Sequence, residues 1–186
     1  MTGSTQPRRA SWRGSIGAAS VALAALLGLA GCGSTFGGKA NTFTCPAITT
    51  VPDLQTLVTV VPGPNGAAVQ SSGRINTATV TCDREGDTGV VATVALELAA
   101  LRTTPAVGSV TLPYFVALAD STGNVLGKQQ FALTLNFEPD APVVRTDDSI
   151  TVHLPLKNPQ LANIYTIVVG FQLNQQQLDY NRAHLQ

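Results

Sequence analysis

The chain has 186 residues, of which 44% are hydrophobic, 12% charged and 5% aromatic. That length suits one domain. The apolar share excludes a disordered chain, and 17 Gly with 11 Pro follow no collagen-like period. The formal net charge is zero, but Arg8, Arg9 and Arg13 precede every acidic residue. Without them, eight basic residues face eleven acidic ones. A mildly acidic body carries no electrostatic footprint for nucleic acid, so no nucleic-acid partner is expected. These numbers name no activity.

Residues 1–14 hold three arginines and no acid, and the run from Ile16 to Ala30 is apolar, broken only by small residues. This is the charged region followed by the hydrophobic region of a secretory signal. The run is too short, and too rich in Ala and Gly, for a spanning helix of about 20 apolar residues. An uncleaved anchor helix is the alternative. The run closes on Leu29-Ala30-Gly31-Cys32, which resembles the lipobox of bacterial lipoproteins. The resemblance implies that residues 1–31 are a lipoprotein signal peptide, cut away once the Cys32 sulfur has received diacylglycerol. Cys32 then becomes the acylated (palmitate-type) first residue. Each buried CH₂ contributes about 0.8 kcal/mol, so the lipid bilayer is the first partner, reached through the acyl chains. No cofactor is expected beyond this covalent lipid on Cys32.

Arg8-Arg9 is a candidate twin-arginine signal, but the apolar residue that follows such pairs is displaced to Trp12, so ordinary secretion is expected. Gly33 follows the lipid cysteine, where lipoproteins of enteric bacteria retained in the inner membrane carry Asp. The expected location is therefore membrane-anchored and periplasm-facing, on the outer rather than the inner membrane. Residues 32–44, the lipidated cysteine and a small, polar stretch, read as a flexible tether. Residues 45–186 read as the globular domain. With Cys32 taken by lipid, Cys45 and Cys82 remain in an oxidising compartment, which favours a disulfide between them. A metal or catalytic pair is the alternative, without a Cys-x-x-Cys spacing or a nearby His to support it.

Beyond Cys45 the dominant period is two. Ala47 to Val51 is a short β-rich run ended by Pro52-Asp53. Leu54 to Val61 fits a helical face or a strand, and Pro62-Gly63-Pro64-Asn65-Gly66 ends it. Residues 67–73 read as exposed loop. Arg74 to Cys82 alternates, with Ala78, Val80 and Cys82 on one face. Asp83 to Asp87 is a charged turn. Gly89 to Leu101 is the clearest strand, with Val90, Ala92, Val94, Leu96 and Leu98 in phase. Val110 to Leu118 follows, and Pro113 within it predicts an edge strand or a bulge. Asp120 to Asn124 is a hairpin turn leading into Val125–Phe137. Glu138 to Pro142 turns again, and Ile150, Val152 and Leu154 alternate with Thr151 and His153. Ile164 to Leu173 is apolar at its centre, so it predicts a central strand. Asn174 caps a short helix over Gln175–Arg182.

About seven strands with regular turn signals predict an all-β fold, an immunoglobulin-like β-sandwich with a short C-terminal helix. Cys45-Pro46, Val61-Pro62-Gly63, Cys82, Leu112-Pro113-Tyr114-Phe115-Val116-Ala117, Gly170-Phe171-Gln172-Leu173 and Gln177-Leu178-Asp179-Tyr180-Asn181-Arg182 resemble a set of small alphaproteobacterial lipoproteins. That resemblance implies location and a single domain, and transfers no catalytic residue.

Chemistry-bearing residues are few. His153 falls on the face opposite Ile150 and Leu154, toward solvent, and His184 lies in the tail. No Gly-x-Ser-x-Gly elbow is present. Asp147-Asp148 beside Arg145, and Asp83, Glu85 and Asp87 around Gly86, are candidate calcium ligands, but both read more simply as solvated loops. Tyr114 and Phe115 point to opposite faces, one into the core and the other toward a surface that would meet a protein partner. The functional expectation is a non-catalytic lipoprotein, a binding or scaffold module of the cell envelope. The alternative is a periplasmic carrier of a small molecule or metal ion.

Overall fold

The computed structural model describes residues 43–63, 66–154, 156 and 158–184. The expected signal peptide, the lipidation site Cys32 and most of the expected tether lie outside them. Eight strands follow in order: β1 (Ala47–Thr50), β2 (Thr56–Gly63), β3 (Gly66–Glu85), β4 (Gly89–Arg102), β5 (Ser109–Ala119), β6 (Val125–Asn136), β7 (Val143–Leu154) and β8 (Thr166–Phe171). Helix α1 (Gln175–His184) closes the chain.

The strands form two four-stranded sheets, ordered β1-β8-β5-β6 and β2-β3-β4-β7. All pairings are antiparallel except β1 with β8. The expected all-β sandwich is present, with eight strands instead of about seven, because the ambiguous stretch after Leu54 is strand β2. The core lies between the sheets. Val90, Ala92, Val94, Leu96 and Leu98 of β4 face Val110, Leu112, Tyr114 and Val116 of β5 across it, all buried. This is the period-two pattern read from the sequence, with one face of each strand removed from water.

Three expectations are overturned. Residues 67–73 are not a loop but the start of β3, paired with β2 from Gly63↔Gly66 to Thr56↔Arg74. The run Ala67 to Gly73 shows no apolar–polar alternation, and the β2 ladder satisfies its backbone instead. Gly73 is needed there, because a β-carbon would collide with Leu112 in the core.

Pro113 does not mark an edge, since β5 is central, between β6 and β8. Its carbonyl accepts the Gln172 N–H at 2.8 Å. In a strand a residue's N and C=O point to the same side, so the proline nitrogen also faces β8, one position beyond the last pair, Tyr114↔Phe171. The missing N–H therefore costs the β5–β6 ladder nothing.

Asp147-Asp148 is not a loop before a strand. Both residues sit inside β7, paired with Glu97 and Leu96 of β4.

The two sides of the sandwich are closed differently. β1 lies beside β3, and the Cys45–Cys82 disulfide joins them, with Cα atoms 5.8 Å apart. The bridge thus links the margin of one sheet to the other sheet. Helix α1 packs on β2 and on the 3-10 turn Pro52–Leu54. Asn174 Oδ1 accepts the Gln177 N–H at 2.9 Å, while Gln177 Oε1 accepts the Asn174 N–H at 3.0 Å. This reciprocal cap starts the helix where the sequence places it. Asn181 is 1% exposed and fixes the far end, its amide donating to the carbonyls of Asp53 (2.8 Å) and Thr56 (2.6 Å).

Candidate functional site

On the opposite side, toward edge strands β6 and β7, a polar contact joins the two sheets. Tyr114 on β5 stacks on Phe131 of β6, with ring centroids 5.2 Å apart. Its hydroxyl donates to Asp148 Oδ2 on β7, across the interior. The even-numbered residues of β7 face inward, so Asp148 is half-buried while Asp147 is exposed. Adjacent strand residues point to opposite faces, so the two carboxylates cannot share one cation, and the calcium reading of this pair fails on geometry. Burial, reinforced by the hydrogen bond and the charge of Asp148, holds the Tyr114 hydroxyl well above the ordinary tyrosine range.

Beyond this contact the sheets part into a cleft of about 430 Å³, lined by Val116, Leu118, Leu126, Gln129, Val152 and Tyr165, among others. Leu126 in its lining is 56% exposed, next to Val125 at 62%. The walls include inward positions of β5, β6 and β7, and Lys128 and His153 also line the cleft.

The expected partner surface at Tyr114 and Phe115 is not available. The two aromatics do point to opposite faces, but Tyr114 is 1% exposed and Phe115 only 7%. Phe115 is covered from within the chain. Lys128 Nζ lies 4.1 Å above its ring, and Leu54 and the Gly170 backbone close in beside it, so tightly that Gly170 has no room for a side chain. β5 is central, so an outward aromatic there meets neighbours on both flanks.

His153 stands on the outer face of its sheet, as alternation predicts, with Nδ1 3.0 Å from the Glu85 carboxylate; both side chains are about half exposed or more. Asp83 and Asp87 flank the same turn, exposed. Among the described residues, no three His, Cys, Asp or Glu side chains converge as a metal site would require. His184 caps the end of α1, stacked on Tyr180 at 4.2 Å.

Two groups escaped the sequence reading. Arg102 is buried without a carboxylate, and its guanidinium donates to four carbonyls: Val107 (2.9 Å), Pro105 (3.4 Å), Glu138 (2.7 Å) and Pro139 (2.6 Å). It also lies over the Phe137 ring at 5.2 Å. One side chain thereby fastens the β4–β5 and β6–β7 connections to each other. In the sequence, Arg102 is only a charge at the end of a strand. Asp148 is the second, masked by its acidic neighbour; its phase with Ile150 and Val152 is the signal that it points inward.

Comparison of the chain with protein-family models, with curated proteins and with solved structures finds no match. Among the described residues, no helix is long and apolar enough to cross a membrane.

Proposed function

We propose that the protein is a bacterial lipoprotein, anchored through an acylated Cys32, that holds a non-catalytic β-sandwich in the periplasm as a binding or scaffold module of the envelope. The observation that carries this reading is the Cys45–Cys82 disulfide. Disulfides persist in oxidising compartments, and this one belongs to a domain preceded by a signal-like run ending in Leu29-Ala30-Gly31-Cys32. The scaffold role is favoured by Val125 and Leu126, large apolar side chains exposed at the start of an edge strand. Outer-membrane rather than inner-membrane placement rests on Gly33 alone.

Mass analysis of the mature N-terminus tests the anchor. A diacylated Cys32 is expected, and Cys32→Ser should leave precursor or soluble protein; an unmodified Cys32 in the mature chain sinks the reading. Co-purification from gently solubilised membranes tests the scaffold role, with Leu126→Glu expected to release the partner.

The cleft favours a second reading, a carrier of a small apolar molecule, because its volume lies in the range of ligand sites. Native mass spectrometry of protein from membranes separates the two. A bound small molecule lost on Val152→Trp, with no protein partner, would favour the carrier.

A further inference from the structure

Exposed sheet edges invite strand pairing, and proteins blunt them with shortness, proline, bulges or charge. Such devices are unevenly spread over the four edges here. β1 is four residues long. β2 contains Pro62, and its partner β3 bulges at Gln70, opposite Thr59 and Val60. β7 carries Arg145, Asp147 and the inward-pointing Asp148. β6 is the least protected: its bulge, at Leu126, is confined to its start, and from Gly127 to Asn136 it pairs without a shift, with no proline and one charge, Lys128.

The register shows which backbone groups of β6 are free. Pro113 pairs with Ala132 and directs its own N and C=O toward β8. Ala132 therefore sits in a non-hydrogen-bonded pair with β5, and its N–H and C=O point outward. The same holds every second residue, for Lys128, Gln130, Thr134 and Asn136. None of these backbone groups has a hydrogen-bond partner on the outer side among the described residues.

We infer that β6 pairs antiparallel with β6 of a second copy of this chain, about a two-fold axis at Ala132, joining the two β1-β8-β5-β6 sheets into one. Three features point to a second copy. The centre, Ala132, is small and exposed, so the two strands can approach. This register sets Gln130 opposite Thr134 and Lys128 opposite Asn136, so the only charge on the strand never meets itself. On the inner face, half-exposed Phe131 and Leu133 fall opposite Leu133 and Phe131 of the second copy, which covers apolar surface that the single chain leaves open. The interface is isologous, so it closes as a dimer and does not propagate. The inference does not depend on the anchor.

The test is cysteine capture on the full chain in membranes, read on non-reducing gels. Paired residues in such a ladder have Cα atoms about 5.5 Å apart, within the disulfide range. Ala132→Cys should give a reducible dimer. Gln130→Cys alone should not, while Gln130→Cys co-expressed with Thr134→Cys should. Capture of a different protein at residue 132, equal capture at residue 130 alone, or no capture at residue 132 would overturn the inference. Sedimentation supplies a second readout. Ala132→Pro removes an N–H that the β5–β6 ladder does not use, so it should convert dimer to monomer with the β-sheet circular dichroism unchanged. A wild-type protein that sediments as a monomer would also overturn it.

Discussion

The hydroxyl of Tyr114 donates to the carboxylate of Asp148 from one sheet to the other, so a central strand and an edge strand share a polar bond inside an apolar core. Removing one partner exposes the asymmetry of such bonds: half-buried Asp148 keeps only the Ser149 N–H on Oδ1, and its other oxygen loses its donor. Tyr114→Phe should destabilise the domain by about 1.5–3 kcal/mol, the range for a hydrogen bond to a charged group. The melting temperature should fall by several degrees. Adding Asp148→Ala to Tyr114→Phe should recover part of the loss, because the orphaned carboxylate is gone. A strictly additive double mutant would show that the two do not couple.

Arg102 is satisfied by carbonyls alone. Lysine cannot reproduce a planar fork reaching four acceptors on two connections. Arg102→Lys should therefore cost about 2 kcal/mol or more, since several buried carbonyls lose their donor. Denaturant unfolding should show a lower midpoint with an unchanged slope. Proteolysis should begin at residues 103–108 and 138–142. An unchanged midpoint would contradict this role.

Asp120 organises the β5–β6 turn. The Thr122 hydroxyl, the Asn124 backbone N–H and side-chain amide, and the Thr122 backbone N–H all donate to its carboxylate. Led by the Thr122 hydroxyl, they lower its pKa to about 2. In the unfolded chain an aspartate protonates near pH 4 (about 3.9). Its contribution to stability is therefore complete above that value and disappears as pH falls through about 2. Wild type and Asp120→Asn should differ in acid unfolding at pH 5 and converge below pH 2. Equal stability at pH 5 would remove the carboxylate from the account.

The Cys45–Cys82 bridge spans 37 residues. By the chain-entropy argument a loop of this length contributes about 4 kcal/mol, as an upper figure. Cys45→Ser with Cys82→Ser should lower the melting temperature by roughly 8–16 °C if the domain still folds. Intact-mass analysis with and without reductant should show one bridge in the native protein, and two free thiols would defeat this.

The strands were legible wherever one face is apolar and the other wet. Val90 to Leu98 announces β4, and Phe131 to Leu135 announces β6. The start of β3 was not legible, because its hairpin with β2 is a backbone pairing that Gln70, Ser71 and Ser72, without apolar–polar alternation, do not advertise. Pro113 misled for a related reason. Proline reports a missing donor, but not which neighbour would have needed it. Tyr114 and Phe115 were correctly placed on opposite faces, yet the burial of Phe115 depends on Leu54 and Lys128, which arrive from distant parts of the chain. The disulfide was legible because the lipobox-like context sets Cys32 apart and leaves Cys45 and Cys82 to pair. The inward aim of Asp148 was available from its phase with Ile150 but was outweighed by the acidic residue beside it.

The position of the disulfide decides how the domain would bear a pull on its N-terminal end. β1 is bound to β8 by four residue pairs, and tension applied there alone would peel it away. Cys45 lies ahead of β1, so the pull passes through the bridge into β3 before β1 is loaded. β3 is held to β4 along 14 residue pairs, many of which would have to shear together. A covalent link at the margin of the sandwich thereby changes the mechanical failure of this domain from unzipping to shear.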